Sequence, residues 1–330
     1  MPAQLSDAII HLMMKVLVVG GAGYIGGAVT DILVDRKIPF TVYDNLLYED
    51  QYFKPVDFIN GDVRDIKKLK KVLKDYTHVI WLAAIVGDAA CQVHPELTVA
   101  INQRAVQWLS KNFDGRIIFL STCSVYGMNE DEVTEESKPN PLSLYAETKA
   151  EAEKFLANKN SVIFRLGTVF GVSDNFSRLR MDLVVNYMTA NAITKGQLSV
   201  FGGTQWRPLV HVRNVAEGVV NALSNKKLQG IYNLSTLNYQ IKDLGIEIAK
   251  ITGCKIELVK QQFEDKRNYH VSTKKAKKAG ALAFKKVYSI KDGASQIMDL
   301  VKTGRVKYAE KDTYFNERHI AGLHTNGDLK

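Results

Sequence analysis

The chain has 330 residues, 46% of them hydrophobic and 24% charged, with a formal net charge of +9. That composition suits a soluble globular enzyme with one large core or two unequal lobes, and no stretch approaches the ~20 apolar residues of a membrane span. Three widely spaced cysteines, Cys91, Cys123 and Cys254, match no metal-ligand spacing, so no metal is expected and the chain reads as reduced and cytoplasmic. The basic runs KKLKKVLK (67–74) and KKAKK (274–278) read as solvated helix faces. Without aromatic–basic interleaving or a finger motif, nucleic acid is not the expected partner, and a phosphorylated small molecule is the more economical anion.

The first 13 residues contain an apolar run but no basic n-region, and the run leads into a glycine-rich turn instead of a cleavage site. They read as an extension ahead of Met14 and not as a signal peptide. From Lys15 the chain alternates apolar runs with segments of helical length. The runs are KVLVV (15–19), FTVYD (40–44), DFING (57–61), HVIWLAA (78–84), RIIFLS (116–121) and SVIFRL (161–166). Continuous apolar runs are strands covered on both faces, and segments 24–36 and 96–112 have helical apolar spacing. This is the pattern of an α/β fold: a doubly wound parallel sheet of the Rossmann type. Past residue 166 the pattern loosens, with helices expected at 213–224, 240–252 and 289–303. The expected division is a dinucleotide-binding domain over 14–166 with returning segments near 207–224, a smaller substrate lobe over 167–305, and a polar tail over 306–330.

GGAGYIGG (20–27) lies directly between a strand and a helix. Gly20, Gly23 and Gly26 allow a tight turn, close approach of backbone N–H groups to a pyrophosphate, and close helix–strand packing. Tyr24 and Ile25 open the helix whose N-terminus would face the phosphates. Asp44 ends the second strand, 18 residues beyond Gly26. Its carboxylate can accept both adenosine ribose hydroxyls and would repel a 2′-phosphate, so NAD is favoured over NADP. Asn45 follows it. Asp62 and Val63, in GDV, end the third strand where an adenine edge could lie, and Leu82, Ala83 and Ala84 end the fourth with the small residues a close dinucleotide requires.

The fifth strand runs into a cluster of small hydroxyl and thiol side chains, FLSTCSVYG (119–127). About 20 residues later comes YAETK, in which Tyr145 and Lys149 stand four apart, with Pro141 and Ser143 as helix-start signals. On a helix the two share a face. An ammonium beside a phenol lowers a pKa that is ordinarily ~10, so the phenolate could take a proton from a sugar hydroxyl while hydride leaves the adjacent carbon for NAD.

Together, GGAGYIG, Asp44, Asp62, LAA, STCSVYG, YAETK and RPLVHVRNVAEG (207–218) make the chain resemble an extended short-chain dehydrogenase/reductase of the NAD-dependent epimerase/dehydratase family, from about residue 14 to 305. The resemblance implies Thr122 as the catalytic partner of Tyr145 and Lys149, contacting the sugar oxygen that is oxidised. Cys123 and Ser124 replace the Asp and Glu of 4,6-dehydratases, which disfavours dehydration; Cys123 could serve as a base but reads better as a packed small residue. A nucleotide-diphosphate sugar is the implied substrate. Arg207 and Arg267 are nominated for its diphosphate, although many relatives place the second arginine nearer Gln261 and Gln262. Arg178, Arg180 and Asn186 are nominated for sugar or nucleotide, and Thr168 stands where many relatives have asparagine.

The closest-looking subgroup contains bacterial surface-sugar enzymes, including GDP-heptose 4-dehydrogenases. The resemblance thus implies oxidation at sugar C4 followed by epimerisation or by release of the keto sugar. A homodimer is implied through the Tyr145 helix and the 96–112 segment. A non-catalytic dinucleotide sensor has no need of Thr122, Tyr145 and Lys149 together, and Asp44 opposes an NADPH-dependent reductase.

Overall fold

The computed structural model describes residues 14–259 and 267–327. The N-terminal extension, Gln261 and Gln262 lie outside them. The strands in chain order are β1 (Val16–Val19), β2 (Phe40–Asp44), β3 (Phe58–Asn60), β4 (His78–Trp81), β5 (Arg116–Thr122), β6 (Met128–Val133), β7 (Ser161–Leu166), β8 (Thr168–Phe170), β9 (Gln197–Phe201), β10 (Trp206–His211), β11 (Gly230–Leu234), β12 (Leu237–Gln240), β13 (Lys255–Val259) and β14 (Asn268–Val271). Seven of them form one wholly parallel sheet in the order β11-β7-β5-β4-β1-β2-β3.

Alternation along each strand sends successive residues to opposite faces. Val16, Val18, Ile80, Ile118, Val162 and Phe164 join one core, which includes Ala28, Val29 and Leu33 of helix Tyr24–Asp35 and Val215, Ala216 and Val219 of helix Val212–Ser224. Leu17, Val19, Val79, Trp81, Ile117, Phe119 and Ile163 join the other, with Leu69 and Leu73 of helix Ile66–Leu73, Leu109 of helix Ala105–Asn112, and Ala152 and Leu156 of helix Leu144–Leu156. Burial on both sides is why these strands read as unbroken apolar runs. Helix Ile66–Leu73 shows why a lysine-rich run can still be specified: Asp65 caps it by accepting Lys68 N–H at 3.0 Å, Leu69 and Leu73 are buried, and Lys67, Lys68, Lys70 and Lys71 are exposed.

Two features differ from the sequence pattern. The returning chain is longer than 207–224: β11 forms an edge of the main sheet beside β7, whereas β10 pairs with β8 and β12 in a separate three-stranded sheet. The 96–112 segment is not one regular helix. It is α-helical at Pro95–Val99 and Ala105–Asn112 with a π-helical turn at Ala100–Arg104 between them. That turn carries the buried Asn102, whose amide accepts Ile85 N–H and donates to Ile85 C=O, both at 2.9 Å, bracing the chain where it leaves β4.

Smaller sheets β8-β10-β12, β9-β13 and β6-β14 lie beyond β7 in the sequence or span back across it. The polar tail is ordered into a 3-10 turn at Asp312–Tyr314 and a helix at Asn316–Thr325, which packs on helix Asp88–Val93.

Candidate active site

At the carboxyl ends of β1, β4 and β5 a single cavity of about 1470 Å³ opens, lined from Gly20 to Arg318. Pockets for one small ligand commonly hold ~300–1,000 Å³, so this one has room for more than one. Gly20 has φ +83°, and a methyl there would strike the backbone of Ala83; one at Gly26 would strike Gly21. Gly23, capping helix Tyr24–Asp35, meets nothing nearer than Gly20 C=O at 3.5 Å. The turn is thus packed tight on its protein side and open at Gly23, which is the shape a pyrophosphate cradle needs. Tyr24 and Ile25 line the same wall, and the Tyr24 hydroxyl donates to Gly171 C=O at 2.7 Å.

Asp44 lines the cavity with Asn45, accepting Ala22 N–H at 3.0 Å and Leu46 N–H at 2.8 Å. Burial pushes its carboxyl up and those backbone N–H bonds oppose it. Val63, Leu82, Ala83 and Ala84 complete this wall. Asp62 does not line it: its carboxylate is taken by Arg64 at 2.8–2.9 Å and by the Asn45 amide at 3.0 Å. Burial would raise Asp62, but the Arg64 bonds and charge hold it below its ordinary value.

Thr122, the last residue of β5, faces the cavity with Ser121, Ser124, Tyr145 and Lys149. Ser143 caps the Tyr145 helix by accepting Ala146 N–H at 3.3 Å, as its position in the sequence predicts. Its hydroxyl in turn donates to Asp88 at 2.6 Å. The phenol of Tyr145 is not acidified here. Burial raises its pKa, with Cys91 and Asp88 adding to the effect, while hydrogen bonding to Thr122 and the charge of Arg180 pull it down. The Lys149 ammonium donates to Leu120 C=O at 2.9 Å, stands 4.7 Å over the Phe119 ring, and is lowered by burial to about 8.

The turn Cys123–Tyr126 separates two neighbours that the sequence groups together. Ser124 points into the cavity and shares a hydrogen bond with the Tyr269 hydroxyl at 3.3 Å. Cys123 points away, 1% exposed, its thiol donating to Arg165 C=O at 3.3 Å and pushed up by burial. It packs with Val125, Tyr126 and Val133 and does not reach the cavity. Asn186 is likewise inaccessible: its amide accepts Gly171 N–H at 2.8 Å and donates to Gly171 C=O and Arg180 C=O. It braces a loop and contacts no ligand space.

Thr168, Arg178, Arg180, Arg207 and Arg267 all line the cavity. Arg207 donates to Trp206 C=O at 2.8 Å and to Arg267 C=O, and stands 5.7 Å over the Tyr269 ring. Arg267 pairs with Asp88 at 2.8 Å. Arg180 pairs with Asp182 at 2.6 Å. Tyr48, Glu49, Asp88, Asp182 and Asn316 also line this wall, and no sequence motif singles them out.

A parallel sheet with a glycine cradle at its carboxyl edge defines a dinucleotide-binding fold of the Rossmann type. The chain belongs to the NAD dependent epimerase/dehydratase family, whose model matches residues 16–235. A putative UDP-glucose 4-epimerase of Methanocaldococcus jannaschii is 26% identical over 87% of this chain and 98% of its own length. An N-acetyl-alpha-D-glucosaminyl-diphospho-ditrans,octacis-undecaprenol 4-epimerase of Escherichia coli O157:H7 is 27% identical over 64% of this chain, which spans 63% of that relative. The UDP-glucuronic acid 4-epimerase of Bacillus cereus, solved with UDP-glucuronic acid and NAD, superposes with a TM-score of 0.71 at 26% identity, covering 88% of this chain and 99% of that one. The cofactor is NAD, and the open face at Gly23 and the carboxylate of Asp44 fit it. No helix among the described residues is long and apolar enough to cross a membrane.

Proposed function

We propose that the protein is a nucleotide-sugar 4-epimerase, oxidising the sugar's C4 hydroxyl to a ketone and reducing it again from the other face. One observation carries this reading: Thr122, Tyr145 and Lys149 share one cavity with the glycine turn, and the same cavity is lined by Arg207 and Arg267. Bound NAD supplies the hydride acceptor and returns the hydride. Thr122 orients the C4 oxygen and Tyr145 takes its proton. Lys149 supplies the positive charge that favours the phenolate, for which its ammonium must add Tyr145 to its present partner, the Leu120 carbonyl. Arg207 and Arg267 hold the substrate's diphosphate, where a planar guanidinium matches phosphate oxygens. Ser124 and Thr168 bound the sugar. Cys123 takes no part, its thiol being buried against Arg165.

The reading extends to a homodimer built on the Tyr145 helix and the 96–112 segment, with the larger sheet as the cofactor lobe and the small sheets as the substrate lobe. It places the enzyme in the cytoplasm, in surface-polysaccharide sugar synthesis. The test is incubation with a panel of UDP- and GDP-sugars, followed by product analysis. An isomer formed without net reduction is the expected result, and Tyr145→Phe should slow it by about 10²–10⁴-fold. A lasting rise in NADH absorbance with a released keto sugar would make the protein a 4-dehydrogenase instead. Turnover that survives Tyr145→Phe unchanged would remove the catalytic assignment.

A further inference from the structure

Arg178 and Arg180 stand apart from Arg207 and Arg267 in their surroundings. The charge of Arg180 acts on Tyr24, the first residue of the helix that follows the glycine turn, and on Tyr48, which also feels Arg178. Arg178 lies 4.5 Å over the Tyr48 ring, and its backbone N–H donates to Glu49 at 2.8 Å. Both arginines line the same cavity as Gly23, Asp44 and Ala84.

Neither is held there by its own segment alone. Arg178 donates to Thr313 C=O at 2.7 Å and to the Asn316 side-chain oxygen. Arg180 is fixed by Asp182, and Asp182 accepts the Asn316 backbone N–H at 3.0 Å. The Asn316 amide nitrogen donates to Val86 C=O at 2.7 Å, on the chain leaving β4. Asn316 is 2% exposed, and two separate stretches of the cavity wall, the chain at Val86 and the Arg178–Asp182 segment, converge on it. Its segment is anchored on both sides: Met181 N–H donates to Tyr314 C=O at 3.0 Å, and the His319 ring nitrogen bonds Leu47 C=O at 2.9 Å.

The charge balance favours an anion. Two guanidiniums face Asp182 and Glu49. Burial pushes Glu49 up to about 7, so near neutrality it offsets only part of one positive charge. The remaining positive charge and the fork geometry suit a diphosphate, and the nearest one the fold provides for is that of the dinucleotide at the N-terminus of helix Tyr24–Asp35.

We propose that Asn316 is a positioning residue for the cofactor, clasping Val86, Arg178 and the Asp182–Arg180 pair together so that both guanidiniums stand over the NAD diphosphate and the C-terminal segment retains the cofactor. The proposal rests on NAD binding and not on the identity or fate of the sugar. It is tested on the full-length protein with NAD as the probe, by NAD content per chain after gel filtration and by titration of stripped protein. Asn316→Ala should lower NAD content and weaken NAD binding by about tenfold or more, with UDP or GDP affinity unchanged within twofold. Arg178→Met should do the same, which keeps the test decisive if Asn316→Ala does not fold. NAD affinity within twofold of wild type in the folded variants overturns the clasp, and so does parallel weakening of NAD and nucleoside diphosphate. None of these readouts involves sugar turnover, so the clasp can fail while the epimerase reading stands, and the reverse.

Discussion

Removing the carboxylate of Glu153 should be the most damaging single change outside the cavity. Glu153 lies on the helix that carries Tyr145 and Lys149, and its side chain is 5% exposed against 3% for its partner, Arg165 on β7. The carboxylate accepts Arg165 Nε at 3.0 Å and Nη2 at 2.7 Å, and the Ser121 hydroxyl at 2.5 Å. Burial lowers the pKa of Arg165, but the Glu153 bonds and charge more than offset that and hold the guanidinium above its ordinary value. Glu153→Ala leaves that guanidinium buried with only Tyr126 and a carbonyl as partners. An uncompensated buried charge costs about 3–5 kcal/mol, which for a chain of this size is a fall in melting temperature of about 4–7 °C. Urea denaturation and calorimetry of the variant measure it. The double change Glu153→Leu with Arg165→Met should recover most of the loss, because an apolar pair has no charge to strand. A loss below about 1 kcal/mol for Glu153→Ala would show that solvent reaches the pair, and a double variant no better than the single would show that packing, not charge, was lost.

Two further changes probe the cofactor wall. Gly20→Ala combines a left-handed φ, costing about 1–2 kcal/mol, with a collision against the Ala83 backbone; NAD affinity should fall at least tenfold, as read by NAD content and titration, and unaltered binding would mean the turn is not held as described. Glu49 titrates near 7 in the folded chain, above its ordinary 4.5, because of burial. The folded state therefore binds the extra proton between those values, and this group's contribution is full below about 4.5 and is lost as pH rises through about 7. Glu49→Gln should then gain stability relative to wild type between pH 5 and pH 8, by about 1–2 kcal/mol, the full ~3 kcal/mol being reduced by solvent at this half-buried carboxyl. Urea curves of dinucleotide-free protein at the two pH values give the difference, and a gain that is flat with pH would refute the assignment.

Whatever was encoded within about 20 residues of sequence was legible before the structure. The six apolar runs are all strands of the parallel sheet, five of them with residues buried on both faces and β3 lying at the edge, and the glycine turn lies within consecutive residues. β11 was missed because GIYNL is short and follows a stretch where the alternation has already loosened. The strands of the small sheets escaped for another reason. β13 has an exposed, mixed sequence, KIELV, and is specified by pairing with β9 about 58 residues earlier. Cys123 and Ser124 could not be separated by composition, since the one-residue step of a 3-10 turn decides which of them meets the cavity. Asn316 offered no local signal at all. Its contacts to Arg178 and Val86 cross 138 and 230 residues.

The same long-range contacts bear on how Arg178, Arg180, Arg207 and Arg267 share one cavity. A dinucleotide and a nucleotide sugar each carry a diphosphate, so on the proposed reading the cavity needs two cationic stations with the reacting atoms between them. On that reading Arg180 is oriented by Asp182 and Arg267 by Asp88. Each carboxylate is tied to a different element: Asp182 to the backbone of Asn316, and Asp88 to Ser143, the cap of the Tyr145 helix. On the proposed reading Asp88 thus joins the substrate-side pair to the helix bearing Tyr145, and its charge is among those that raise the Tyr145 pKa.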